Sequence, residues 1–126
     1  MTQTRTIPGE VARITVAWDE QSTSKEAALS YIIDKLGDNG IDGATIYESL
    51  GVYQDEVEPG FTIEVAGVNG PVLMKYIHDL LKGLKQDSAY VTFDGGNPAL
   101  VHMRHDGRSL KFERITQEVD LRPELN

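Results

Sequence analysis

The sequence predicts an α+β fold in which two helices cover one face of an antiparallel sheet. Two helical apolar stripes and several stretches of alternating apolar residues support this prediction. The clearest stripe lies in 71–84, because its apolar residues recur at i, i+3, i+4, i+7, i+8 and i+11 and form one continuous helix face. These residues are Leu73, Tyr76, Ile77, Leu80, Leu81 and Leu84. Such a face requires a sheet to pack against.

The chain begins with a polar stretch, residues 1–10, which shows no periodicity and is predicted to be a flexible N-terminal arm. The pattern changes at Val11. From there Ile14, Val16 and Trp18 alternate with other residues at the two-residue period of a half-buried strand. This alternation predicts the first strand.

The first helix is predicted to begin after the polar segment 19–24. Thr23 and Glu26 have the spacing of a capping box, and Ser22 and Ser24 are alternative caps. The buried face of this helix is predicted from its i, i+3, i+4, i+7 spacing. It comprises Leu29, Ile32, Ile33 and Leu36.

Three further strands are predicted over 44–50, 61–66 and 89–93. The strands 61–66 and 89–93 precede and follow the second helix in the chain, and their apolar residues alternate as in a half-buried sheet. The sequence leaves open which side chains of 44–50 face the core. An acidic segment, 54–58, is predicted to be a loop, with Gly51 before it at a bulge or bend.

The segment 99–113 is predicted to be a hairpin that turns at Asp106-Gly107. A two-residue turn there places Met103 opposite Leu110 and Val101 opposite Phe112, so that these four apolar side chains share one face. The tail, 115–126, is compatible with a short strand, a docked segment or disorder.

The predicted order is therefore strand, helix, strand, strand, helix, strand, followed by a hairpin. This is the order of a ferredoxin-like βαββαβ two-layer sandwich with an appended C-terminal β-hairpin. At 126 residues the chain is long enough for one domain with its own core, which we assign to 11–114.

The net charge is −8, and its distribution is uneven. Residues 1–70 contain 4 Lys/Arg against 12 Asp/Glu, whereas residues 71–126 contain 8 of each. An acidic first part argues against direct binding to nucleic-acid phosphates and permits a basic protein partner.

The chain contains no cysteine, which excludes disulfides, thiolate metal sites and thiol catalysis. No apolar run approaches the roughly 18 to 20 residues of a membrane span, and the first residues lack the apolar region of a signal peptide. These features predict a cytoplasmic protein that does not enter a membrane.

Several segments resemble small ferredoxin-like proteins of actinobacteria and their phages. The resemblance lies in 46–48, Gly51, Tyr53, Glu56, 61–65 and 89–93. The same segments are distantly similar to the PII signalling and cation-tolerance trimers. The residues with which such trimers hold phosphates are not recognisable in this sequence, so the resemblance implies no ligand.

His102 and His105 are weak candidates for a metal site. They have the spacing H-x-x-H, but positions i and i+3 of a strand face opposite ways, so both reach one ion only if His105 bends into the turn. The acidic segment lacks the ligand spacing of a calcium loop. We therefore predict neither a metal nor a cofactor.

The sequence lacks a nucleophile elbow, a Walker loop, a zincin helix and a dinucleotide fingerprint. This favours a non-enzymatic protein without excluding catalysis, since catalytic groups often converge from distant positions. The resulting hypothesis is a protein-binding module that forms homo-oligomers, because one face of a ferredoxin-like sheet carries no helix.

The predicted contact surface combines tyrosines, which supply contact area, with acidic side chains, which would steer a basic partner. It comprises Tyr47, Tyr53, Asp55, Glu56, Glu58 and Tyr90. Two alternatives remain at this point. One is a phage or plasmid inhibitor that blocks a host nucleic-acid-binding protein, and the other is a sensor or enzyme acting on a small molecule or metal.

Overall fold

The computed structural model describes residues 11–53, 56–93, 98–104, 109–114 and 121–123. They form the predicted ferredoxin-like α+β fold, with two helices on one face of an antiparallel sheet. The strands are β1 (Val11–Ala17), β2 (Thr45–Tyr53), β3 (Glu56–Ala66), β4 (Ser88–Phe93), β5 (Ala99–Met103), β6 (Leu110–Arg114) and β7 (Leu121–Pro123). The helices are α1 (Lys25–Asp38) and α2 (Gly70–Gly83). The predicted arm, 1–10, lies outside the described residues.

The sheet has seven strands in the order β6-β5-β4-β1-β3-β2-β7 among the described residues. β1 is central and pairs with β3 and β4, so its alternation of apolar and polar side chains decides which face is the core. Ala12, Ile14 and Val16 are buried on the helix side. Their cross-strand neighbours on β3, Phe61, Ile63 and Val65, are buried with them, as the alternation predicted.

The predicted stripe of α2 is confirmed, since each of its six apolar side chains is buried. Asn69 caps the N-terminus of the helix, because its side-chain oxygen accepts a hydrogen bond from the backbone N–H of Val72 at 3.0 Å. A proline follows in the first turn, where its missing N–H has no helical partner to lose. Sequence spacing thus identified the buried face of this helix.

The predicted face of α1 is confirmed at Ile32 and Leu36, Leu29 packs against the core but is only partly buried, and Ile33 needs correction. Ile33 is 51% exposed, while Ala28, Ile32 and Leu36 form the buried row. These three positions are spaced by four residues and lie nearly in line along the helix, whereas Ile33 is rotated away from them by about 100°. Ser24 is the cap, because its hydroxyl accepts from the backbone N–H of Ala27.

The segment 54–58 is not simply a loop, and this prediction is wrong for its second half. Glu56 and Glu58 belong to β3, which pairs with β2 as far as Tyr53 opposite Glu56. Gly51 lies within the paired region, opposite Glu58. Cross-strand pairing therefore extended both strands beyond the bounds that composition predicted.

The C-terminal hairpin is confirmed in its register. Met103 pairs with Leu110 and Val101 with Phe112, as predicted. The predicted turn residues, Asp106-Gly107, lie outside the described residues. At the opposite edge of the sheet, β7 pairs with 49–51 of β2. Part of the tail is thus a short strand. No helix in the described ranges is long and apolar enough to cross a membrane.

Lys85 follows α2 with a left-handed backbone, φ 58°, that β-carbon-bearing residues rarely adopt. The backbone N–H of Gln86 donates to the carbonyl oxygen of Leu81 at 2.9 Å, the bond of a Schellman-type helix end. We expect Lys85→Gly to raise the free energy of unfolding by about 1 kcal/mol, because glycine adopts this conformation without strain.

Chemical denaturation would measure this gain. Gly40 supplies the reverse control, since it has φ +68° and a β-carbon there would meet no atom within 4 Å. Gly40→Ala should therefore lower the free energy of unfolding by about as much as Lys85→Gly raises it, through backbone strain alone. A loss of stability in Lys85→Gly would contradict the prediction.

A polar cluster joins the two helices at Asp79 of α2. Its carboxylate accepts hydrogen bonds from the side chains of Asn39 and Lys75, both at 3.1 Å, and its carbonyl oxygen accepts one from the Tyr31 hydroxyl at 2.7 Å. Partial burial opposes ionisation of Asp79, but the hydrogen bonds from Asn39 and Lys75 outweigh it and lower the pKa of the carboxyl.

This lowered pKa predicts a pH-dependent contribution to stability. The unfolded chain binds the proton more readily, so the stabilisation is present above the unfolded pKa of about 3.9 and is lost as the pH falls through the folded value. We expect Asp79→Asn to cost about 1 kcal/mol at pH 7 and progressively less below about pH 3.9. Urea denaturation at pH 7 and pH 3 tests this, with exposed Asp34→Asn as the control.

Candidate functional site

The face of the sheet opposite the helices carries a compact polar cluster on β1, β3 and β2. The register places Arg13 of β1 opposite Glu64 of β3, and Thr15 opposite Thr62. On the other side of β3, Tyr47 of β2 lies opposite Thr62. We call this set the free-face cluster. It comprises Arg13, Thr15, Tyr47, Ser49, Thr62 and Glu64.

Glu64 is the charged centre of the free-face cluster. Its Oε2 accepts a hydrogen bond from Arg13 Nε at 3.0 Å and another from the Tyr47 hydroxyl at 3.0 Å. These two donors belong to the two strands that flank β3. The Glu64 side chain is 31% exposed, so a ligand can reach a carboxylate whose position is already set.

A row of hydroxyls crosses the same three strands beside this carboxylate. The Thr15 and Thr62 hydroxyl oxygens lie 2.9 Å apart, and the Thr62 hydroxyl lies 3.1 Å from that of Ser49. Thr62 and Ser49 are buried although they lie on the face without helices. Each hydroxyl thus has a hydrogen-bond partner within the row, as buried polar groups generally do. These bonds hold the side chains that lie next to Glu64.

Tyr47 combines exposure with an altered acidity. Its side chain is among the exposed large apolar groups, yet partial burial of the hydroxyl, and then its hydrogen bond to Glu64, raise the pKa of Tyr47. The phenol therefore stays protonated at neutral pH and donates to the carboxylate. The cluster can thus present a carboxylate, a neutral phenol and an aromatic ring to a ligand.

The predicted contact residues are only partly brought together. Tyr47 belongs to the free-face cluster, and Tyr90 lies on the same face, opposite Thr15. Tyr53 and Glu56 pair at the far end of the β2–β3 hairpin, and Glu58 is exposed nearby. Asp55 lies outside the described residues. Contact of these residues with a protein partner, and homo-oligomer formation, remain predictions.

The predicted histidine pair is described only at His102, so a metal site formed by the pair stays a prediction. His102 Nε2 lies 2.9 Å from Glu113 Oε1 across the β5–β6 hairpin, on the free face of the sheet. His105 lies outside the described residues. In the ranges that the structure describes, no three His, Asp or Glu side chains are grouped closely enough to hold a metal ion.

Sequence reasoning missed five members of the free-face cluster, since it singled out Tyr47 alone. The other five residues could have been found from the register in which the strands pair. Once Ile14 and Ile63 are placed in the core, Arg13 and Glu64 must face the opposite way on adjacent strands. Without the pairing of β1 with β3, nothing in the sequence joins residues so far apart.

No protein-family model matches this chain, and no curated protein does. Two solved structures of a phage SAM lyase resemble it, each with a TM-score of 0.52. The lyase in its apo state is 19% identical, and the match covers 88% of this chain and 91% of that one. The lyase in complex with S-methyl-5'-thioadenosine is 17% identical, with 93% and 96% covered. At these identities the match shows a shared fold.

These matches correct the functional hypothesis. A non-enzymatic binding module was predicted, but both of these matching structures, which share the fold over most of their length, are of an enzyme. The prediction of a non-enzymatic binding module is therefore wrong. The predicted link to phage proteins is supported at the level of fold. The resemblance to PII trimers finds no support.

Proposed function

We propose that this protein is an enzyme that cleaves S-adenosylmethionine (SAM) and releases S-methyl-5'-thioadenosine. Two observations support the proposal. The fold matches a phage SAM lyase along nearly the whole of both chains, and one matching structure holds S-methyl-5'-thioadenosine. The free-face cluster supplies a positioned carboxylate for a cationic ligand. The carboxylate of Glu64 is the observation on this chain that carries the assignment.

The chemistry of SAM explains why such a carboxylate is useful. The substrate carries a positive charge on its sulfonium sulfur. Release of S-methyl-5'-thioadenosine breaks the bond between this sulfur and the γ-carbon of the methionine part. The electron pair of that bond goes to sulfur, which becomes a neutral thioether. A carboxylate oxygen of the methionine part forms the new bond to the γ-carbon and closes a five-membered lactone, so the step needs no second reactant. A carboxylate near the sulfur therefore attracts the substrate more strongly than this product.

The remaining cluster residues fit a subsidiary role in binding. The Tyr47 ring is exposed beside Glu64, and aromatic faces attract cations such as a sulfonium. Its hydroxyl holds the carboxylate at 3.0 Å. The buried hydroxyls of Thr62 and Ser49 are hydrogen-bonded to each other beside Glu64 and would hold this part of the sheet in place. We assign Glu64 to the sulfonium and Tyr47 to the adjacent surface.

The experiment is incubation of the purified full chain with SAM, followed by chromatographic detection of S-methyl-5'-thioadenosine. We expect its formation to rise linearly with protein concentration. S-adenosylhomocysteine is the matched control substrate, because its sulfur is already a neutral thioether and should not be cleaved. If the folded protein forms no product from SAM and calorimetry detects no binding, the proposed function is wrong.

A further inference from the structure

Arg13 occupies the central strand of the sheet directly beside Glu64. It lies opposite Glu64 of β3 on one side and opposite Thr92 of β4 on the other. Its Nε donates to Glu64 Oε2 at 3.0 Å, and its side chain is 38% exposed. The Arg13 guanidinium is thus a positive charge in contact with the carboxylate that the proposed function assigns to the sulfonium.

The two donors to Glu64 differ in what they contribute. Tyr47 donates a neutral hydrogen bond, whereas Arg13 adds a full positive charge that compensates the carboxylate. Both bonds end on Oε2, and the donors come from the two strands that flank β3. The two donors are also coupled to each other, because the Arg13 side chain hydrogen-bonds to the Tyr47 hydroxyl as well. Removal of the Arg13 charge therefore affects both the charge and the geometry at Glu64.

We infer that Arg13 is a positioning residue that holds the Glu64 carboxylate in place and weakens its attraction for the substrate cation. This inference rests on the proposed function. The sulfonium charge disappears as the carbon–sulfur bond breaks. A carboxylate that bound it at full strength would stabilise the substrate more than the transition state, and only the difference between the two accelerates the reaction.

The inference predicts an uncommon kinetic pattern. Removal of the Arg13 charge leaves Glu64 more attractive to SAM, so KM should stay the same or fall. The carboxylate also loses one of its two anchors, and kcat should fall by about tenfold or more. A role for Arg13 in stability alone would lower the unfolding midpoint without this division between kcat and KM.

The experiment compares the native chain with Arg13→Gln and Arg13→Met, two neutral replacements of which the second keeps an apolar stem. Arg13→Lys keeps the charge and should recover the native KM with part of kcat. Lys25→Gln is the matched control, because Lys25 also forms a cross-element ion pair, at 3.3 Å with Glu48. Glu48 of β2 alternates with Tyr47 and so lies on the opposite face from the cluster. Unfolding midpoints are measured for all variants.

The possible outcomes distinguish a failure of the role of Arg13 from a failure of the proposed SAM cleavage. A lower kcat with an unchanged or lower KM in the neutral variants, and native kinetics in Lys25→Gln, support the role of Arg13. Native kcat in both neutral variants, or a rise in KM as large as the fall in kcat, would overturn that role alone. If the native chain forms no S-methyl-5'-thioadenosine, the proposed function fails, and this inference fails with it.

Discussion

Replacement of Glu64 by glutamine is expected to lower kcat/KM for SAM cleavage about a hundredfold, the range found when one preorganised electrostatic group is removed. Glutamine has nearly the same shape and can still accept a hydrogen bond from Tyr47, but it has no charge to offer a sulfonium. The loss should therefore reflect the charge. Because Glu64 is 31% exposed, the substitution should leave the fold intact.

The measurement is the initial rate of S-methyl-5'-thioadenosine formation over a range of SAM concentrations. Binding of S-methyl-5'-thioadenosine itself provides a second readout, since this neutral product should bind to Glu64→Gln with nearly native affinity. Glu48→Gln is the matched control, because Glu48 is also ion-paired but lies on the opposite face of the sheet. Equal losses in the two variants would contradict the assignment of Glu64.

Gly60→Ala is expected to lower the free energy of unfolding by about 2 kcal/mol, as overpacking in a close contact does. A β-carbon at this position would lie 2.7 Å from the carbonyl oxygen of Val16. That atom belongs to the backbone of β1 and cannot rotate away as a side chain would. Gly60 pairs with Ala17 and with Ser49, so a shift there also disturbs the strands that carry the free-face cluster.

Chemical denaturation of Gly60→Ala would measure the cost, and Gly37→Ala is its control. Gly37 lies near the end of α1, and a β-carbon there would meet no atom within 4 Å. The control should gain roughly 0.5 to 1 kcal/mol, because alanine loses less backbone freedom than glycine in a helix. If both variants are stabilised, the close approach at Gly60 does not constrain the sheet.

Local patterns predicted much of the fold because the signals they rest on repeat within a few residues. The stripe of α2 and the register of the β5–β6 hairpin were both predicted correctly, the second from the pairing that a two-residue turn at Asp106-Gly107 would impose on the flanking residues. The length of the β2–β3 hairpin was not predicted. Its outer half is held by pairing between strands, which outweighs the turn-like composition of 54–58.

Most of the candidate site could not be predicted from the sequence. Tyr47 was identified because tyrosines supply contact area, but Glu64, to which its hydroxyl donates, was not. Arg13 and Glu64 are 51 residues apart in the chain, and neither belongs to a recognisable motif. Each would be read in isolation as a polar position on a half-buried strand. Their chemistry arises only from being neighbours across the β1–β3 pair.

The class of the fold, the order of its first six elements and most of the core could be predicted from the sequence, because periods of 3.6 and 2 residues are properties of consecutive positions. The set of polar side chains that meet on the face without helices could not be predicted in this way. Strand order and register place Arg13, Tyr47 and Glu64 together, and these depend on packing between distant segments. A function carried by cross-strand neighbours is therefore visible only after folding.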